Sequence, residues 1–500
     1  MRLKSFVEVS LLVAVLSFGA PAFGQTPASS PVPQETPPPP AAPRTVNVPK
    51  PVEQTLKNGL RVIVIEEHDM PLVSAQLLIK NGAEVDPPAL SGLADMTASL
   101  LTKGTKTRTA PQIAQEIEAL GGAINSGAGW DASRASINVM SSKIEPAMSI
   151  LADLVRNPVF QDEEIERLRQ QYLDSLNVAM NEPGSVANFV AARVVFGDAA
   201  YGHPLSGTTK SIAQIKRDDI VGLHSNFYRP DNGVLVIGGD IKAEDAFKLA
   251  EKTFGDWAKP TTDIPARGQV GKMVDKNEKP RVVVVDMPGA GQAAVVLART
   301  GISRSDPDYF RGIVTNAMLS GYSGRLNQEI RIKRGLSYGA RSSLETRRES
   351  GPFVASAQTK NPSGAEVASL LVSELGRLST EPIKDTELTP RKAVLIGGFG
   401  RALETTEGLV GQIASLALYG LNLAEINNYI NNVQAITPAD VQRFASARLD
   451  SQKANIIIVG NAKEFLPELR KRYTDVEVIT LSELDLNSAS LRKVAVGAAK

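Results

Sequence analysis

The chain repeats itself. "IEPAMSILADLVRNP" is echoed by "AEVASLLVSELGRLSTEP", and Pro382 lies 224 residues beyond Pro158. "GVLVIGGDIKAEDAFKLAEKTF" is echoed by "ANIIIVGNAKEFLPELRKRY", with Gly460 lying 222 residues beyond Gly238. Two matches in the same order at nearly one offset point to a duplicated unit of about 220 residues. A chain of 500 residues is in any case too long for a single core. Within each unit, strands return through helices of varied length. That pattern predicts an α+β class with two homologous domains, each a mostly antiparallel β-sheet covered by helices.

Local signals fill in this plan. Asn58-Gly59 stands between two β-prone runs, a hairpin signal. Thr109 precedes "APQIAQEIEALGG" as an N-cap, and Gly121 stops that helix. "RASINVMSS" reads as a strand, "EPAMSILADLVRNP" as a helix ending before Pro158, and "NGVLVIGGD" as a buried strand. "RVVVVDM" and "AAVVLAR" open the second half as strands. Hydrophilic sequence with Pro and Gly over 259–279 reads as a linker, so the domains are expected at 52–262 and 275–490.

The first 24 residues have the layout of a secretory signal peptide: Arg2 and Lys4, an apolar run around Leu11 to Phe18, then the small residues Ala22 and Gly24. The run is too short for a permanent bilayer span. Residues 25–51 form a proline-rich spacer, with ten prolines from Pro27 to Pro51, that cannot bury apolar surface. With no Cys, a disulfide framework is ruled out. The expected location is the periplasm. A net charge of +1 and 5% aromatic residues give no basic, aromatic-interleaved face, so nucleic acid is not an expected partner.

The stretch "GLADMTASLLTKGT", from Gly92 to Thr105, has the frame of a metal-binding helix without its ligands. Asp95 and Ser99 sit four apart on one helix face, and Ala98 directly precedes Ser99. Two histidines in that i, i+4 spacing with a glutamate between them would bind zinc. Here the frame holds Asp, Ala and Ser.

With the duplication, these residues resemble the pitrilysin-like zinc peptidases, the inverted zincins that include insulin-degrading enzyme and mitochondrial processing peptidase. Gly92, Leu93 and Ala94 match the family's start of the H-x-x-E-H helix, and Lys103, Gly104 and Thr105 match its end. Further matches are "NGAEVDPPALSGLA", "YGHPLSGT" and "FYRPDNGVLVIGGD", and the resemblance covers about residues 52 to 480. It implies that the two domains form one half of a clamshell. The family histidines fall on Asp95 and Ser99 and its glutamate on Ala98. The distal glutamate ligand falls near Asp174 to Leu176, with Asp174 the nearest carboxylate.

A tetrahedral site needs three good ligands plus water, and Ala98 cannot serve as general base. The metal site is expected to be lost, with no metal and no cofactor held by this chain. His68, His203 and His224 are isolated and read as surface or hydrogen-bonded residues.

"SGYSGRLNQEIRIKRGLSYGARSS" is similar to the family's most specific C-terminal segment. There, an arginine followed seven residues later by a tyrosine reaches across the chamber toward the zinc. The matching positions are Arg331 and Tyr338. A guanidinium can hold a peptide carbonyl, and a phenol can donate to a developing oxyanion. Arg325, Lys333, Arg334 and Arg341 read as solvated charges, and Gly321 and Gly324 as shapers of the preceding turn. The resemblance therefore implies a zinc-free subunit of a heterodimeric zinc peptidase. Arg331 and Tyr338 would act in trans on peptides bound with a zinc-bearing homologous partner. The competing expectation is a scaffold or peptide-binding core protein of a larger assembly. A metal-independent hydrolase finds no cysteine nucleophile.

Overall fold

The computed structural model describes residues 48–267 and 279–493. The expected signal peptide, most of the proline-rich spacer and residues 268–278 of the expected linker lie outside the described residues. The spacer's described end departs from the expectation, since Val48 is buried and bonded to Asn427 at 2.8 and 3.0 Å. The Asn58-Gly59 signal is a hairpin: β1 (Val52–Thr55) pairs antiparallel with β2 (Arg61–Glu66). Gly59 adopts φ 95°, where a side chain would be strained. The Asn58 amide donates to the carbonyls of Phe254 and Trp257 at 2.7 and 3.1 Å, tying the turn to the domain's last helix.

The first sheet adds β3 (Leu72–Ile79), β4 (Ala123–Ala128), β5 (Ser133–Met140) and β6 (Gly233–Gly239), in the order β1-β2-β6-β3-β5-β4. Only β2 and β6 run parallel. β6 is buried along its whole length, which explains why its sequence is an unbroken apolar and glycine run. The second sheet comprises β7 (Val282–Asp286), β8 (Ala293–Thr300), β9 (Ala340–Leu344), β10 (Pro352–Thr359), β11 (Asn455–Gly460) and β12 (Val476–Thr480). Its order is β12-β7-β11-β8-β10-β9. The series β2-β6-β3-β5-β4 and β7-β11-β8-β10-β9 correspond strand for strand, which bears out the duplication. The second sheet is more mixed than the first, because β12 and β11 both flank β7 in parallel.

Helices α1 (Leu93–Leu100), α2 (Ala110–Ala119), α3 (Ile144–Arg156) and α4 (Asp162–Met180) contribute to the core on one face of the first sheet. Thr109 caps α2 through a reciprocal box with Gln112, and Gly121 follows its end at φ 65°. The next helix, α5 (Pro183–Phe196), leaves its own domain. Its stripe of Val186, Val190, Val194 and Phe196 packs with Val283, Val296 and Ile457 of the second sheet. The helix Thr406–Leu418 crosses the other way, packing Leu409, Val410 and Ile413 against Ile63, Ile65 and Val236.

Each buried valine, leucine or phenylalanine contributes about 1.5–3 kcal/mol. Each exchanged helix thus contributes on the order of 10 kcal/mol, comparable to the net stability of a domain. Between the halves, the buried Asp131 accepts from the Arg348 amide at 2.8 Å and from the hydroxyls of Tyr419, at 3.2 Å, and Tyr201. Among the described residues, no helix is long and apolar enough to cross a membrane.

Candidate functional site

The residues around α1 set its position. Gly92 starts the helix at φ 92°, and a Cβ there would come within 3.0 Å of the Gly207 backbone. Buried Asp86 accepts from the amides of Gly92 and Ala94, both at 2.8 Å, satisfying two donors at the helix start. The face carrying Asp95 and Ser99 then meets α4.

Tyr172, and not Asp174, stands opposite. Its hydroxyl donates to Asp95 Oδ2 at 2.9 Å and lies 3.2 Å from Ser99 Oγ. Asp174 is exposed and accepts from Gln170 at 2.8 Å, so the expected distal position is corrected to Tyr172. Burial raises the Asp95 pKa, against the hydrogen bonds from Tyr172 and the Ala128 amide that favour its ionised form. Burial also raises that of Tyr172, keeping the phenol protonated as the donor. Ala98 is fully buried, so the position matched to the family's general base carries no carboxylate.

These residues do not fit a zinc ion. One carboxylate is already engaged by two donors, and a serine and a neutral phenol are poor ligands. Among the described residues, no group of three or more His, Cys, Asp or Glu is arranged to hold a metal.

The histidines are engaged elsewhere. Exposed His68 pairs with Asp240 at 2.8 Å and Glu66 at 3.4 Å, which raise its pKa. Buried His203 lies between the carbonyls of Pro204 and Ala83, and burial lowers its pKa. His224 meets the Val155 carbonyl at 2.8 Å and stacks on Tyr228; burial lowers its pKa to about 4.

Arg331 and Tyr338 belong to the second domain, and no described contact links them to Asp95. The segment Asn327–Lys333 is wound in π-helical geometry. Such turns shift the phase of the side chains and recur at functional sites. The Arg331 guanidinium lies 5.2 Å from the ring centre of Tyr322, a cation–π contact that sequence reasoning did not single out. Among the described residues, Arg331 has no carboxylate partner. Tyr322 is 71% exposed and Tyr338, just before β9, is 90% exposed.

The neighbouring cations differ. Arg325 is largely buried and holds Glu387 through two bonds at 2.7 and 2.9 Å, so it is not a solvated charge. Lys333 and Arg334 pair with Glu329, and Arg334 also with Glu366. Arg341 is exposed, as expected. Gly321, at φ 91°, turns the chain before this segment.

Comparison with known proteins agrees with this picture. Residues 61–209 match the family model described as Insulinase (Peptidase family M16), and residues 214–395 the model described as Peptidase M16 inactive domain. The chain belongs to the M16 peptidase family. It is 28% identical over 411 residues to an uncharacterized zinc protease of Rickettsia bellii, covering 81% of this chain and 96% of that protein. An uncharacterized zinc protease of Streptomyces coelicolor is 24% identical, with 82% and 89% covered.

Among solved structures, a peptidase M16 inactive domain from Pseudomonas fluorescens superposes with a TM-score of 0.75 at 26% identity. The match covers 82% of this chain and 98% of that one. A protease from Helicobacter pylori shares the fold with a TM-score of 0.76 at 21% identity, with 83% and 100% covered. The M16 fold and the two-sheet architecture of one clamshell half are thereby established for this chain.

Proposed function

We propose that this chain is the zinc-free subunit of a heterodimeric M16 metallopeptidase of the periplasm. It supplies Arg331 and Tyr338 in trans to peptides bound against a zinc-bearing homologous partner. One observation carries this reading: Tyr338 is 90% exposed and half-buried Arg331 rests on Tyr322, and among the described residues neither has a carboxylate or side-chain hydrogen-bond partner. The corresponding metal helix, by contrast, is closed internally by Tyr172. A solvent-facing phenol and a guanidinium steadied on Tyr322 suit a role toward a second molecule. The guanidinium orients a peptide carbonyl, and the phenol donates to negative charge developing on it. Metal chemistry belongs to the partner.

The test is co-purification with zinc-bearing M16 homologues and an assay of the complex on unstructured peptides. Tyr338→Phe should leave assembly and zinc content unchanged and lower turnover by roughly 10²–10³. Wild-type turnover in an intact Tyr338→Phe complex would refute the trans role. A second reading, a non-catalytic peptide-binding core protein, is favoured by β4, an edge strand beside α1 with no strand on its outer side among the described residues. Edges of this kind take up extended peptides by main-chain pairing.

A further inference from the structure

A cleft of about 390 Å³ opens beside Tyr338, between the start of α5 and the second sheet. Strand register gathers its polar side chains on one face. Arg341 of β9 is paired with Ser356 of β10, and Gln358, two residues on, is paired with Ala294 of β8. Asn188 of α5 closes the opposite wall. Gly184 leaves room there for Gln358, since a Cβ would lie 2.6 Å from its amide nitrogen and push that side chain aside.

No Asp or Glu lines the cleft, and Arg341 is its one charged side chain. Among the described residues, Arg341 makes no ion pair or side-chain hydrogen bond, whereas Arg325, Lys333 and Arg334 are each matched to a carboxylate. The topologically matching cleft of the first domain, about 360 Å³ beside the helix Thr406–Leu418, shows the contrast. There Arg134 and Arg347 share the walls with Asp131 and Glu345, and Arg347 is bonded to Glu345. The walls of the first cleft carry two carboxylates beside their two guanidinium groups; the second presents a guanidinium with no carboxylate.

We propose that the second cleft is a subsite for a carboxylate of a bound peptide, read by Arg341. Ser356, Gln358 and Asn188 offer hydrogen bonds to the adjacent peptide groups. The proposal rests on the chain being a peptide-handling subunit, and it adds a substrate class: peptides with an acidic side chain or a free C-terminus near the bond aligned with Tyr338. A guanidinium suits a carboxylate because its planar fork gives two parallel donors.

The test uses the purified chain alone, so its outcome is separable from that of the partnered Tyr338→Phe assay. Fluorescein-labelled short unstructured peptides are compared in pairs, Glu against Gln at one position and free against amidated C-terminus, by anisotropy at low salt. One acid form should bind roughly tenfold tighter than its neutral counterpart, the lower end for a charge-assisted bond, and the responsive pair identifies the carboxylate. The preference should shrink with added salt. Arg341→Gln should abolish it and Arg341→Lys should keep a weaker one. Gly184→Ala should weaken acid and neutral forms alike by displacing Gln358. Equal affinity within both pairs, a preference that persists in Arg341→Gln, or no binding of any peptide would each overturn the proposal.

Discussion

Tyr172→Phe deletes the one hydroxyl that joins α4 to both polar positions of α1. The ring remains, so there is no cavity term, and Ser99 is exposed enough to turn to water. The loss falls on Asp95, which keeps only the Ala128 amide as donor. A hydrogen bond to a charged group is worth about 1.5–3 kcal/mol. Asp95 is only part-buried, so the lower end applies, about 1.5 kcal/mol. For two domains that unfold together, at about 2.1 cal/mol/K per residue, that lowers the melting midpoint by about 2 °C.

Asp95→Asn leaves an amide oxygen that still accepts from the phenol and should cost less. Because both changes strike one bond, the double variant should cost about 1 kcal/mol less than the sum of the singles. Thermal unfolding followed by near-UV circular dichroism reads all four proteins. A Tyr172→Phe midpoint within about 1 °C of wild type, or strictly additive costs, would show that the contact holds nothing together.

The same geometry predicts that Asp95→His, Ser99→His and Tyr172→Glu together restore a three-ligand site, two histidines at i, i+4 facing a carboxylate. Elemental analysis should find about one zinc per chain and, with Ala98 retained, no peptidase activity; the absence of zinc would refute the assignment of Tyr172 to the distal position. Glu84 gives a pH prediction: burial pushes its pKa up to about 7, against the Gly82 amide and nearby Arg348. Its contribution to stability is fully present below the unfolded value of about 4.3 and is lost as pH rises through 7. Glu84→Gln should flatten a fall on the order of 2 kcal/mol between pH 5 and 8 in urea midpoints.

What the sequence revealed followed from local rules. Asn58-Gly59 made its hairpin, Thr109 its cap, and the offset from Pro158 to Pro382 the duplication, because each depends on residues near in sequence or on direct comparison. The exchange of α5 and the helix Thr406–Leu418 was not legible. The stripe from Val186 to Val194 says that a face is buried, but not on which sheet. Tyr172 was missed because a carboxylate was sought. Helical spacing carried the signal, since Leu168, Tyr172 and Leu176 lie four apart on one face that avoids Asp174. The aim of Arg331 was hidden for a related reason, as π winding breaks the 3.6-residue phase on which such reasoning depends.

The helix exchange bears directly on how such a subunit can work. Separating the two sheets would expose both apolar stripes and strip Asp131 of its donors from the second domain, Tyr419 and the Arg348 amide. At on the order of 10 kcal/mol per helix, opening within the chain amounts to unfolding. The two domains therefore move as one body, and in the proposed heterodimer access to an enclosed peptide would come from motion between the subunits. That fits the contrast between this chain's two candidate sites. The contacts that seal α1 are internal and can be strong, because nothing has to enter there. Arg331 and Tyr338 lie outside the exchanged core, on a surface whose occupancy another molecule can change without loosening the fold.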